Sequence, residues 1–309
     1  MTRPGPQPMK SRSASGYALV AGAFVIMGLI GTLVEWATAP ESALLVIRFV
    51  IAGLVLGVVF AHRRPLAGAR DRSVWPRLLL MAAIDAGSLL LFFVAMRSTG
   101  VAIGMFLQFM APVWVALLAP RVFGARTDRI VYPALALALG GLAVILWPSL
   151  LGEGVRLSAW GVSAGLMAGL GYAAFQLTVK DLTSRVSSVG IVLAEAWLDA
   201  LILLPLALWQ TVGAGYQLTG RDLVAGLILG VICTALAYTM WTEGVGRIRV
   251  QHSSILGYLE PVTAPLYALV LLGQSISGWT IAGGALIVVA GVLVVLYGEP
   301  EEAVLEPPT

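Results

Sequence analysis

The chain has 309 residues, of which 59% are hydrophobic and 11% charged, with a mean hydropathy of +0.93, whereas a soluble domain carries about 25% charged residues. A soluble fold could not bury so many apolar runs of about twenty residues, but each run suits a helix crossing roughly 30 Å of hydrocarbon at about 1.5 Å per residue. The net charge of +3 is dispersed over short loops rather than along one soluble face, so no nucleic-acid partner is expected. With the single cysteine Cys233, neither an intrachain disulfide nor a thiolate metal cluster can form.

The predicted fold is an all-α polytopic membrane protein with ten transmembrane helices. Residues 1–15 form a basic N-terminal segment, and the first apolar run is Gly16 to Trp36. The "ATA" that follows at 37–39 imitates a signal-peptidase site. The run is long for a signal sequence and carries Glu35 and Trp36 just before the supposed cut, so an uncleaved helix is expected. The second run, Ala43 to Ala61, holds Arg48 in its outer part, and the third, Arg77 to Met96, holds Asp85 near its middle. In the fourth, Val101 to Pro120, Pro112 cannot donate to the carbonyl of Gln108. The fifth, Ile130 to Trp147, closes a first half (16–147) and is followed by an external loop (148–157).

The second half (158–297) begins with Ser158 to Val179, where Gly161, Gly165, Gly169, Tyr172 and Gln176 recur along one face. The glycines read as close helix packing. Tyr172 and Gln176 read equally as packing or as cavity lining. The seventh run, Val189 to Gln210, places Glu195 and Asp199 one turn apart on one face. Two like charges there repel, so one is expected to be protonated or paired. The eighth, Leu223 to Thr242, contains Tyr238 and Trp241, candidates for the inner half of a pathway.

The ninth run, Val250 to Leu272, contains "YLEPVTAPLYALVLLG" from Tyr258. Ser253, Gly257, Glu260, Ala264 and Tyr267 form a small or polar stripe, with Leu259, Val262, Leu266 and Val270 largely elsewhere, so Glu260 is expected to face the bundle interior. Pro261 should free the carbonyl of Gly257, as Pro112 does that of Gln108. These prolines serve either as gates beside a binding site or only as packing kinks. The tenth run is Gly278 to Tyr297, and the acidic, proline-rich tail 298–309 is expected to be disordered. Trp36, Trp75, Trp147, Trp209 and Trp279 fall at span ends as interfacial anchors. His62 and His252 lie near the inner ends of two spans, where surface or interfacial roles are expected, and no joint metal site is.

Placing both termini in the cytoplasm assigns 15 Lys and Arg to the inner side: Arg3, Lys10, Arg12, Arg63, Arg64, Arg70, Arg72, Arg77, Arg121, Arg126, Arg129, Lys180, Arg185, Arg247 and Arg249. The outer side receives only Arg97, Arg156 and Arg221, and Arg48 lies within a span. Miscounting by one helix would scramble that asymmetry.

The halves also repeat. "GVAIGMFLQFMAPVWVALL" from Gly100 aligns with "RVQHSSILGYLEPVTAPLY" from Arg249 at a constant offset of 149, pairing Pro112 with Pro261. Gly124 pairs with Gly273, and after a one-residue shift "GGLAVIL" pairs with "AGVLVVL". A unit of five helices is odd, so the second copy enters the membrane in the opposite sense, an inverted repeat of the kind that supports alternating access. Arg48 then falls at or beside the position matching Glu195. A cross-repeat ion pair is one reading of these residues and proton coupling is the other.

"VIRFVIAGLVL", "FLQFMAPVWVALL", "TALAYTMW", "LEPVTAPLYALVLLG" and "IAGGALIVVAGVLV", in that order, resemble the EamA family of the drug/metabolite transporter superfamily. The resemblance covers essentially the whole chain. It implies two inverted five-helix repeats, a central cavity near the bilayer middle, and transport of small metabolites, most often outward. The Gly-Glu pair common in the family after the fourth and ninth helices stands here as Gly124-Ala125 and Gly273-Gln274.

The expectation is a secondary transporter of the cell membrane, with both termini cytoplasmic, exporting a small polar, amino-acid-like or cationic metabolite in exchange for protons. Gln108, Tyr172, Gln176, Tyr238, Trp241, Tyr258 and Glu260 are the candidate substrate contacts. Arg48, Asp85, Glu195 and Asp199 are the candidate cavity charges or proton carriers, since ionisable groups at depth face a cavity or a partner. No "GxxxxGK[ST]" motif is present, and no enzymatic activity, metal or cofactor is expected. A channel or sensory module is the alternative, and a membrane-embedded enzyme a more distant one. The partners are lipid and a small-molecule substrate, with homodimerisation left open.

Overall fold

The computed structural model describes residues 9–63, 66, 68, 71–124, 126–151, 158–213 and 215–299. The first eight residues, most of the external loop with Arg156, Arg64 and Arg70, and the tail beyond 299 lie outside the described residues. Among the described residues there is no strand, and 10 helical spans are long and apolar enough to cross a membrane.

These spans are α1 (Met9–Met27, continuing after Gly28 as Leu29–Trp36), α2 (Glu41–Val59), α3 (Trp75–Thr99), α4 (Val101–Gln108 and Ala111–Phe123) and α5 (Val131–Leu150). They are followed by α6 (Ala159–Leu182), α7 (Ser188–Gly213), α8 (Gly220–Ile228, Leu229–Leu236 and Ala237–Val245), α9 (Val250–Leu256 and Leu259–Leu272) and α10 (Gly278–Tyr297). All ten apolar runs therefore become helices. The polar face of the sequence pattern is turned inward, and large apolar side chains such as Val58, Leu201, Val270 and Leu296 are exposed on the outside, as a hydrocarbon solvent requires.

The packing obeys a two-fold exchange of the halves. The most extensive contacts join α3 to α6, α5 to α10, α2 to α7 and α1 to α8. Exchanging α1–α5 with α6–α10 converts the α3–α6 pair into the α8–α1 pair and maps the α2–α7 and α5–α10 pairs onto themselves. Gly124 and Gly273, which end α4 and α9, both adopt left-handed conformations (φ 69° and 70°), where a side chain would be strained.

The glycine stripe of α6 is a packing surface. A Cβ at Gly161 would meet Ser98 and Thr99 at 2.6 Å, and one at Gly169 would lie 2.6 Å from the Leu107 carbonyl and 3.2 Å from that of Gln108. Small residues are what let α3 and α4 approach α6 so closely. A feature the hydropathy pattern does not mark is the π-helical stretch Leu229–Leu236 in α8, whose Thr234 hydroxyl donates to the Leu229 carbonyl at 2.8 Å. Its Gly230 lies against Ile51 and the Arg48 carbonyl of α2.

Candidate functional site

Two broken helices meet inside the bundle. The first half of α4 stops at Gln108 and that of α9 at Leu256. Each helix resumes after a gap of two residues with a proline in the new first turn, where the missing N–H costs no intrahelical bond. The prolines thus begin the second half-helices. Tyr258 and its repeat counterpart Phe109 sit at the two breaks and stack at 6.0 Å. The Tyr258 hydroxyl donates to the Phe109 carbonyl at 2.6 Å, an acceptor released because the Val113 N–H turns to Met110 instead. The Gly257 carbonyl is not left free as Pro261 alone would predict. A tighter turn brings it the Glu260 N–H at 3.1 Å.

Tyr258 is fully buried, so in this conformation it joins the repeats rather than lining open space. Tyr258→Phe keeps the ring and strands the Phe109 carbonyl, which costs about 1–2 kcal/mol. A lowered unfolding midpoint of the detergent-solubilised protein is expected, and an unchanged midpoint would show that the bond contributes nothing.

Glu260 follows one half-turn later. It is half-buried, its side-chain carboxylate makes no hydrogen bond or ion pair among the described residues, and it lies within electrostatic reach of Arg48 and Tyr172. On α9, Leu266 and Val270 face outward, but Leu259 and Val262 pack against the core, because the break at Gly257–Tyr258 rephases the second half. Gln108 and Gln176 each bury a side-chain oxygen without a partner.

An aromatic ladder descends from this level. Tyr172 stacks on Phe175 at 6.1 Å, Phe175 on Trp241 at 5.7 Å, and Tyr238 meets Trp241 edge-on at 6.3 Å. Trp241 is buried and donates to the Ser253 hydroxyl at 3.1 Å. Around it Val245, Ile248, Val250, Ser253, Ser254 and Leu256 are buried, so the bundle is closed at the end where α8 stops and α9 starts.

The strongest electrostatic feature joins α3 to α7. Asp85, Glu195 and Asp199 are buried, and one carboxylate oxygen from each lies within 4.8 Å of the others. Both oxygens of Glu195 and both of Asp199 lack a hydrogen-bond partner. Among the described residues no ion pair joins Arg48 to Glu195. Arg48 donates instead to the Tyr238 hydroxyl at 3.0 Å and lies over the Phe49 and Tyr238 rings at 4.8 and 5.5 Å, with its Nε unpartnered. The helical period of α7 aligned Glu195 with Asp199, but the arrival of Asp85 depends on how α3 packs.

An open recess of about 480 Å³ lies where α2 begins and α3 and α7 end, lined by Pro40, Glu41, Arg97, Trp209, Gln210 and Gly213. At about 1.5 Å per residue along α3 and α7, it stands about 16–18 Å along the bundle from Asp85 and Asp199, and is therefore distinct from the carboxylate triad.

Two further networks escape the periodicity. Asp222 accepts from the backbone N–H groups of Thr38, Ala39 and Thr219 and from the Tyr216 hydroxyl, tying the α1–α2 connection to the start of α8. The Thr219-x-x-Asp222 spacing of a capping box is the signal for it. His62 is exposed, as expected, but His252 is wholly buried and hydrogen-bonded to Tyr17, a correction to the surface role that its position near a span end suggested.

A family model described as "EamA-like transporter family" matches residues 14–147 and again 159–297. The chain is 30% identical over 292 residues to the uncharacterized transporter YwfM of Bacillus subtilis, covering 93% of this chain and 95% of that protein. It is 26% identical over 189 residues to a probable amino-acid metabolite efflux pump of Salmonella typhimurium, covering 59% of this chain and 62% of that one. A solved structure titled "Crystal structure of protein" superposes with a TM-score of 0.79 at 18% identity over 92% of this chain and 98% of the other. At that identity the likeness is one of fold.

Proposed function

The chain belongs to the EamA-like transporter family, and from that premise we propose that it is a proton-coupled secondary exporter of a small amino-acid-like or cationic metabolite, embedded in the cell membrane with both termini cytoplasmic. The observation that carries the coupling is the buried carboxylate triad of Asp85, Glu195 and Asp199, in which the oxygens of Glu195 and Asp199 lack hydrogen-bond partners. Three bare charges this close, away from water, would be costly, and bound protons relieve that cost. In this orientation the recess beside Glu41 and Arg97 faces outward, and protons entering there would leave when the inner half opens.

The substrate would occupy the space around Glu260, Gln108, Gln176, Tyr172 and Tyr238. Glu260 offers an unpaired carboxylate to an ammonium group, and the two glutamine oxygens offer further acceptors. The buried Arg48 supplies the opposite charge, which suits a zwitterion. The Salmonella relative's name points the same way. Tyr258, Trp241, Pro112 and Pro261 would act as moving parts, because they hold the two broken helices together and fill the inner half.

The test is a thermal-shift screen of the purified protein against amino acids, amines and sugars, followed by flux of the best hit in proteoliposomes under an imposed proton gradient. Saturable flux with counterflow is expected, with Glu260→Gln weakening half-saturation at least about tenfold, the worth of one charge-assisted contact. Conductance that does not saturate would favour a channel and sink this reading.

A further inference from the structure

The inner end of the bundle carries a cluster built around a buried histidine. Tyr17 of α1 and His252 of α9 are joined at 2.7 Å between the phenol oxygen and Nδ1, with their rings stacked at 5.9 Å. His252 Nε2 stands 3.3 Å from Asp128 Oδ2, an ion-pair distance without aligned hydrogen-bond geometry. Asp128, in the connection from α4 to α5, accepts the Ile130 N–H at 3.2 Å and the Glu299 N–H at 2.7 Å. Burial pushes its carboxyl up, but His252 and the two backbone donors outweigh this and hold it well below the usual carboxylate range.

The chain leaving α10 is drawn across this cluster. The Glu299 side chain pairs with Arg249 at 3.1 Å, and Arg249 also donates to the Arg126 carbonyl at 3.5 Å. Gly298 lies flat on the pair beneath it. A Cβ there would come within 2.7 Å of His252 Cε1 and 3.0 Å of the Tyr17 hydroxyl. Two residues thus bridge α1 and the α4–α5 connection of one half to α9 and α10 of the other.

By the offset of 149, the outer-face counterparts of His252 and Asp128 are Ile103 and Ser277, so this cluster is not repeated there, and the outer end is tied differently, through Asp222 to Thr38 and Ala39.

We infer that Gly298 and Glu299 form a strap that locks the inner end shut, and that inward opening requires this strap to lift from Asp128 and Arg249. The strap biases the resting protein toward the inner-closed state described above. It goes beyond the transport reading, and its test needs no substrate, so either can fail without the other.

The test uses the full chain with Cys233→Ser and a reporter, Thr242→Cys, whose native hydroxyl is buried without a partner. A membrane-impermeant maleimide applied from the inner face of inside-out vesicles should label the parent slowly. Gly298→Val, which leaves no room for the strap, and a chain ending at Gly298 should each label about tenfold faster, the change expected from losing one charge-assisted hydrogen bond. A chain ending at Glu299 should label as slowly as the parent. Should Gly298→Val fail to fold, the two truncations decide alone. Labelling within twofold of the parent in the chain ending at Gly298, or equally fast labelling in both truncations, overturns the strap.

Discussion

Asp199→Asn is expected to abolish proton-driven flux while leaving the protein as stable as before, or more so. Coulomb repulsion between two unit charges at 4.8 Å, taken at an effective dielectric of about 20, is about 3 kcal/mol. Neutralising one member of the triad removes up to two such terms, fewer where protons already occupy the triad, and it also removes a buried carboxylate whose oxygens both lack partners. Structural and functional roles therefore predict opposite signs. A residue that only held α3 to α7 would lose stability on substitution, as breaking a buried pair does.

The corresponding measurement is flux in proteoliposomes with and without a pH gradient, beside thermal unfolding in detergent. Asp85→Asn should behave likewise, and substrate counterflow, which needs no net proton movement, should persist in both. If Asp85→Asn, Asp199→Asn and Glu260→Gln all retain pH-dependent flux, the coupling proposal is wrong.

Gly283→Val should have the largest effect on stability. Gly283 and Gly141 face each other where α10 crosses α5, and a Cβ on Gly141 would lie 2.6 Å from the Gly283 carbonyl and 2.8 Å from Ile287. The reciprocal Cβ at Gly283 would collide with the Gly141 carbonyl and stand 2.8 Å from the Ile145 backbone nitrogen. Backbone cannot move aside as a side-chain tip can. Overpacking in a well-filled interior costs about 1–3 kcal/mol, and a backbone clash on both sides places this site at the upper end. In lipid, helices associate through such close packing rather than through hydrophobic burial, so the α5–α10 pair should separate. A fall in unfolding midpoint and aggregation on size exclusion are expected. Gly140→Val is the control, since a Cβ there meets nothing within 4 Å, and equal behaviour of the two variants would contradict the argument.

Much of this was legible before any coordinates. Hydrocarbon thickness acts on residue counts, so ten apolar runs became ten spans. The offset between Pro112 and Pro261 marked the two breaks, since proline acts on the turn in which it sits. One-dimensional periodicity also aligned the α6 glycines, as well as Glu195 with Asp199. It could not anticipate the tightened turn that satisfies Gly257, nor the rephasing that turned Leu259 and Val262 toward the core. Both arise where the helical period is interrupted, and a fixed 3.6-residue count loses its meaning there.

By itself, then, the sequence determined what is local or additive: apolar length, the one-sided distribution of Lys and Arg among alternate loops, the inverted five-helix repeat and the presence of acids at depth. Tertiary structure decided which of those acids meet. Asp85 reaches Glu195 and Asp199 across two helices, Arg48 turns to Tyr238 rather than Glu195, and Gly298 and Glu299 fold onto His252 and Asp128 from far along the chain. Such pairings depend on helix rotation and crossing in three dimensions, and these are set by glycine contacts such as Gly141 with Gly283, not by any spacing along the chain.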